Sequence, residues 1–138
     1  KTGNSIVDTI VNNKQATAER KGILFEVHAK LSQACRIESI DLGNILGNLI
    51  DNAITASEQE ENGFIDIRIE EQQNYLVICI RNKCTVPIAE NLETSKADKT
   101  FHGIGLKSVK KAVEKYNGTF TYEVKNEQFK VNILLENN

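Results

Sequence analysis

Apolar residues recur along this chain at two different periods. Ile6, Val7, Ile10, Val11 and Ala18 return at helical spacing, which predicts a helix over roughly residues 4–20. Gly22 stops it, and Ile23, Phe25, Val27 and Ala29 then alternate with Leu24, Glu26 and His28 as a strand. A second, longer helix is expected from about Ser39 to Glu58, closed by Asn62-Gly63. Ile65, Ile67 and Ile69 alternate with Asp66, Arg68 and Glu70, the pattern of a half-buried strand. Polar residues Glu71 to Asn74 turn the chain into the unbroken apolar run Tyr75–Ile80, which suits a central strand. From Arg81 to His102 the pattern lapses, and a structureless stretch of that length usually belongs to a functional lid or a disordered segment. Leu106, Val109, Val113 and Tyr116 share one face of a third helix, ended by Asn117-Gly118. Thr119–Val124 and Phe129–Leu135 read as a closing hairpin. The order predicts an α+β fold, a two-layer α/β sandwich whose mixed sheet carries its helices on one face.

Composition narrows the class. The 138 residues suit a single domain over 1–138, and no repeat or linker divides them. Net charge is -2 and the pI is about 5.8, which argues against a nucleic-acid or anionic-membrane surface. No apolar run is long enough for a membrane span. Cys35, Cys79 and Cys84 are odd in number and lack paired spacing, and with only His28 and His102 there is no zinc framework. Cys79 reads as a core residue, Cys84 as incidental and His28 as a surface residue. The chain opens on Lys1 and is expected to be a piece of something longer.

Three features could carry chemistry. Asp41, Asn44, Asn48, Asn52 and Thr55 fall on one stripe of the second helix. Either this is a solvated face or the amides have another use, because asparagine is a poor helix former. At the entry to the third helix stands His102-Gly103-Ile104-Gly105-Leu106. Such a segment is an ordinary turn or a phosphate site, since glycines admit a close ligand and a helix start offers free N–H groups. Asn82, expected just past the central strand, could read a base edge or cap the strand. Lys107, Lys111 and Lys115 form a stripe that reads as solvated, with Lys107 placed to approach phosphate.

Taken together, Asn48-Leu-Ile-Asp-Asn52-Ala53, the strand ending at Asn82 and Gly103-Ile-Gly-Leu106 resemble the N-box, a modified G1 box and the G2 box of the GHKL ATP-binding superfamily. Thr2-Gly-Asn4, Lys14, Gly22-Ile23, Ala56-Ser57 and Thr94-Ser-Lys96 are similar to the sensor histidine kinases of Gram-positive peptide quorum-sensing receptors. The resemblance implies a catalytic and ATP-binding domain that passes the γ-phosphoryl group to a histidine on another domain. Asn52 would be the Mg²⁺ ligand, with Asn48 helping to hold phosphate or metal. Asn82 would meet the adenine amino group. Lys96, His102, Gly103, Ile104, Gly105, Leu106 and Lys107 would complete the ATP site, under a lid over approximately 83–102. His102 would touch phosphate or shape its loop.

The implied partners are an upstream dimerisation domain bearing the phosphoacceptor histidine, and a response regulator of a two-component system. Nucleic acid is not expected, the isolated domain should be a monomer, and the location would be the cytoplasmic side of a membrane-anchored receptor. Two departures bear on mechanism. Asn48 stands where water-activating members carry a glutamate, which favours an external nucleophile over water. The G1 box reads Asn82-Lys83-Cys84-Thr85, without its glycines. An anti-sigma-type serine kinase and a nucleotide-binding interaction module without phosphotransfer remain the alternative readings.

Overall fold

The computed structural model describes residues 2–85 and 104–138. Helix α1 spans Ser5–Arg20, and strand β1 spans Leu24–Ala29. Helix α2 spans Ser39–Glu58, followed by strands β2 (Phe64–Gln72) and β3 (Tyr75–Lys83). Helix α3 begins at Ile104 and ends at Lys115, before strands β4 (Thr119–Lys125) and β5 (Gln128–Glu136). The five strands lie in the order β1-β2-β3-β5-β4. β1 runs parallel to β2, and every other neighbouring pair is antiparallel. This is the mixed sheet with helices that the periodicities predict.

Alternation sorts the sheet into two faces. Ile65, Ile67 and Ile69 of β2, Leu76, Ile78 and Ile80 of β3, and Phe129, Val131, Ile133 and Leu135 of β5 are buried beneath the helices. From above, α2 supplies Leu42, Ile45, Leu46, Leu49 and Ile50, while α1 adds Val7 and Val11 and α3 adds Val109 and Val113. The loss of this much apolar surface to water is the main stabilising force. Asn4 caps α1 by accepting from the N–H groups of Ile6 and Val7, and its Nδ2 donates to Ser39 Oγ at 3.0 Å. One side chain thereby starts α1 and ties it to the first residue of α2.

The opposite face of the sheet is polar and carries Asp66 near the start of β2. Its Oδ2 accepts from Arg81 Nη2 at 2.7 Å and from Arg68 Nε at 3.3 Å. Burial pushes the Asp66 carboxyl up, but the two guanidinium groups outweigh it and hold it below the ordinary carboxylate value.

Two expectations change here. β3 runs on to Lys83 rather than stopping at Ile80, because Arg81, Asn82 and Lys83 keep their ladder places opposite Lys130, Phe129 and Gln128. Polar side chains ended the apolar pattern without ending the strand. Cys79, expected in the core, stands on the polar face opposite Arg68 and Asn132, whereas Cys84 is buried in the core. An unbroken apolar run conceals which residues point inward, and the partners decide it. His28 is exposed, as expected.

The structure also shows how the stretch after β3 is rooted. Cys84 N–H donates to Glu127 O at 2.8 Å. Thr85 donates to the Glu60 carboxylate through its N–H at 3.0 Å and its hydroxyl at 2.8 Å. The remainder of the expected lid, with Lys96, His102 and Gly103, lies outside the described residues.

Candidate functional site

The polar stripe of α2 divides into two parts with different uses. At its N-terminal end Asp41 is committed to α3. The Asp41 carboxylate accepts from the Tyr116 hydroxyl and from Lys115 Nζ at 2.9 Å, and Tyr116 Oη in turn accepts from the Glu38 N–H at 3.1 Å. Burial pushes the Asp41 carboxyl up, but these donors hold it below the ordinary value. Lys115, expected to be solvated, is held charged by Asp41 and Glu38.

One turn further on, Asn44 meets α3 at Ser108. Asn44 Oδ1 accepts from Ser108 Oγ at 2.8 Å, and Asn44 Nδ2 donates to Ser108 O at 3.3 Å. Asn48 follows, and its Nδ2 donates to Asn44 O at 2.8 Å and to Asn44 Oδ1 at 2.7 Å. The Asn48 Oδ1 lies against Gly105 in the first turn of α3, where an added Cβ would come within 2.9 Å of it. Glycine at 105 therefore lets the start of α3 sit directly over the Asn48 carbonyl.

Asn52 and Asn82 meet at a second point. Asn52 is buried, and so is Asn82, whose neighbours across the sheet are the core residues Ile65 and Phe129. Asn82 therefore points to the helix side of the sheet. A cavity of about 20 Å³ lies between them, bounded by Asn52, Ala53 and Ala56 of α2 and by Ile80, Asn82 and Phe129 of the sheet. That is room for a water, and a purine ring would have to widen it. Asn82 Nδ2 donates to Lys83 O at 2.9 Å, which leaves Oδ1 as the atom that can accept from a ligand.

Of the other expected site residues, Ile104 and Gly105 open α3, Leu106 is buried in the core and Lys107 is exposed. The first N–H groups of a helix have no partner within it, and such a start suits an anion. Among the described residues no three or more His, Cys, Asp or Glu side chains come together to hold a metal. A divalent cation here would rely on amide and ligand oxygens, the donor set that magnesium accepts. Asn48 Oδ1, which faces Gly105, is one such amide oxygen.

Each carboxylate of α2 is occupied elsewhere. Asp41 holds Tyr116 and Lys115, Asp51 pairs with Lys14 at 2.6 Å, and Glu58 pairs with Lys21 at 3.0 Å. Sequence reasoning missed Ser108. A lone serine on an amphipathic helix gives no signal until α3 is docked on α2.

Residues 37–136 match the GHKL domain family, and the chain belongs to it. No curated protein matches the chain. Among solved structures it is similar to the nucleotide-free catalytic domain of histidine kinase ThkA, with 20% identity and a TM-score of 0.79 over 99% of this chain and 94% of that one. Acinetobacter baumannii histidine kinase AdeS gives 19% identity and a TM-score of 0.75 over 97% of this chain and 64% of that one. The mycobacterial sensor histidine kinase MprB gives 16% identity and 0.63, over 95% of each. The fold is that of histidine kinase catalytic domains. Among the described residues no helix is long and apolar enough to cross a membrane.

Proposed function

We propose that this chain is the ATP-binding catalytic domain of a protein-histidine kinase, which transfers the γ-phosphoryl group of ATP to a histidine on a separate dimerisation domain. The observation that carries this reading is the convergence of three elements. Asn48 of α2 lies against Gly105 at the start of α3, and one turn further along α2 Asn52 lines a cavity shared with Asn82 near the end of β3. The adenine amino group would donate to Asn82 Oδ1, the phosphates would lie across the first turn of α3, and Asn52 with Asn48 would hold a magnesium ion. That ion would neutralise phosphate charge during transfer.

Asn48 stands where a water-activating member would carry a glutamate, which favours an imidazole nitrogen as the attacking group; that nitrogen bonds to phosphorus as ADP departs. A response regulator would receive the phosphoryl group next. Thr2-Gly-Asn4 and Lys14, which respectively start α1 and pair it with α2, support assignment to the peptide-receptor kinases, on the cytoplasmic side of a membrane-anchored receptor.

Calorimetric titration with a non-hydrolysable ATP analogue tests the reading. Binding that requires Mg²⁺ and weakens by at least about tenfold in Asn52→Ala is expected. No binding at millimolar nucleotide would overturn it and favour an interaction module.

A further inference from the structure

We infer that Asn44 and Ser108 are positioning residues that fix which atom of Asn48 faces the nucleotide and its metal. The inference rests on the nucleotide-binding reading above and extends it to residues outside the N-box. A side-chain amide has two nearly isosteric orientations, one presenting an oxygen and the other an NH₂ group. Only the oxygen can serve a cation. In this structure both Asn48 Nδ2 protons have acceptors, Asn44 O at 2.8 Å and Asn44 Oδ1 at 2.7 Å. Turning the Asn48 amide over would set its oxygen against those two acceptors. The oxygen is therefore held towards Gly105 and the start of α3.

This lock works only if Asn44 presents its own oxygen to Asn48, and Ser108 ensures that. The serine hydroxyl donates to Asn44 Oδ1 at 2.8 Å, and the serine carbonyl accepts from Asn44 Nδ2 at 3.3 Å. Reversing the Asn44 amide would set its oxygen against the Ser108 carbonyl and its NH₂ group against the Asn48 NH₂ group. Ser108 thus sets Asn44, and Asn44 sets Asn48. Such a chain of bonds is stronger together than its members taken singly. It also links the proposed metal ligand on α2 to the helix that would hold the phosphates, so the two halves of the site are built in register.

A double-mutant cycle on the whole chain tests this, reading the Kd for the ATP analogue with and without Mg²⁺. Asn44→Ala should weaken binding in Mg²⁺ by about tenfold, as expected for a lost hydrogen-bonded orientation, and raise the Mg²⁺ concentration needed for half-maximal binding. In the Asn48→Ala background, Asn44→Ala should have no further effect. Ser108→Ala should cause a smaller loss of about threefold, and Ser108→Thr, which keeps the hydroxyl, should restore the wild-type value. If Asn44→Ala does not fold, the two Ser108 variants carry the test.

A second readout needs no ligand. The Asn48 side-chain NH₂ protons should exchange slowly with solvent in the free protein and faster in Ser108→Ala. Additive losses in the cycle, or a Ser108→Ala protein indistinguishable from wild type, would overturn the inference while leaving the nucleotide reading intact. Failure of the unaltered chain to bind nucleotide at all would overturn both.

Discussion

At the scale of single residues, the candidate site is made of neutral amides in places where asparagine is costly. Asn52 and Asn82 are buried, and a buried amide is tolerated only when its hydrogen-bonding groups are met. Asn82 gives one NH₂ proton to Lys83 O, which turns its Oδ1 away from that carbonyl as an acceptor. An acceptor suits the amino group of adenine and not the carbonyl of guanine. Asn82→Ala should therefore weaken ATP and ADP binding alike, by about five- to tenfold, and erode discrimination against GTP without changing Mg²⁺ dependence. Competition titrations with ATP, ADP and GTP would show this. Equal retention of all three affinities would remove Asn82 from base recognition.

At the scale of elements, α2 and α3 are held together by polar contacts as well as by Val109 and Val113. The Tyr116 hydroxyl bridges Asp41 and the Glu38 N–H at the start of α2, where an uncapped helix would otherwise leave a donor unmet. Tyr116→Phe should cost about 1–2 kcal/mol, lowering the melting temperature by roughly 3–8 °C. Thermal unfolding followed by circular dichroism would measure it. An unchanged melting temperature would show that the bridge contributes nothing.

Helix α2 was legible because its period is strong over twenty residues, and its bounds agree with the structure. The end of β3 was not, because Arg81 and Lys83 interrupt the apolar pattern while Asn82 still occupies an inward position. The asparagine stripe was visible in the sequence, yet its division was hidden. Which amides meet α3 and which meet the sheet depends on how α3 docks, and no local pattern encodes that. Ser108 and the inversion of Cys79 and Cys84 belong to the same class of tertiary fact.

At the scale of the whole molecule, the sheet has one apolar face and one charged face, and the charged face responds to pH. Asp66, flanked by Arg81, Arg68 and His28, has its folded-state pKa held below the unfolded value of about 3.9. Its contribution to stability is therefore complete above the unfolded value and disappears as pH falls through the lower, folded-state value. Asp66→Asn should cost about 1–3 kcal/mol at pH 7 and flatten the fall in stability as pH drops below about 4. Urea unfolding midpoints across that range would reveal it. An acid limb as steep as that of the wild type would place the responsible carboxylates elsewhere.

The parallel pairing of β1 with β2 also dictates an order of assembly. The β2–β3 ribbon turns over Gln73 and Asn74, and the β4–β5 ribbon over Asn126 and Glu127, so both can close on local encounters within microseconds or so. β1 cannot find its place opposite Phe64 to Ile69 until all of α2 has been laid between them. Chain entropy makes that closure a late event. On the ribosome, β1 emerges long before its neighbour does. For that interval its backbone has no strand to pair with, and α1 is the element at hand to shelter it.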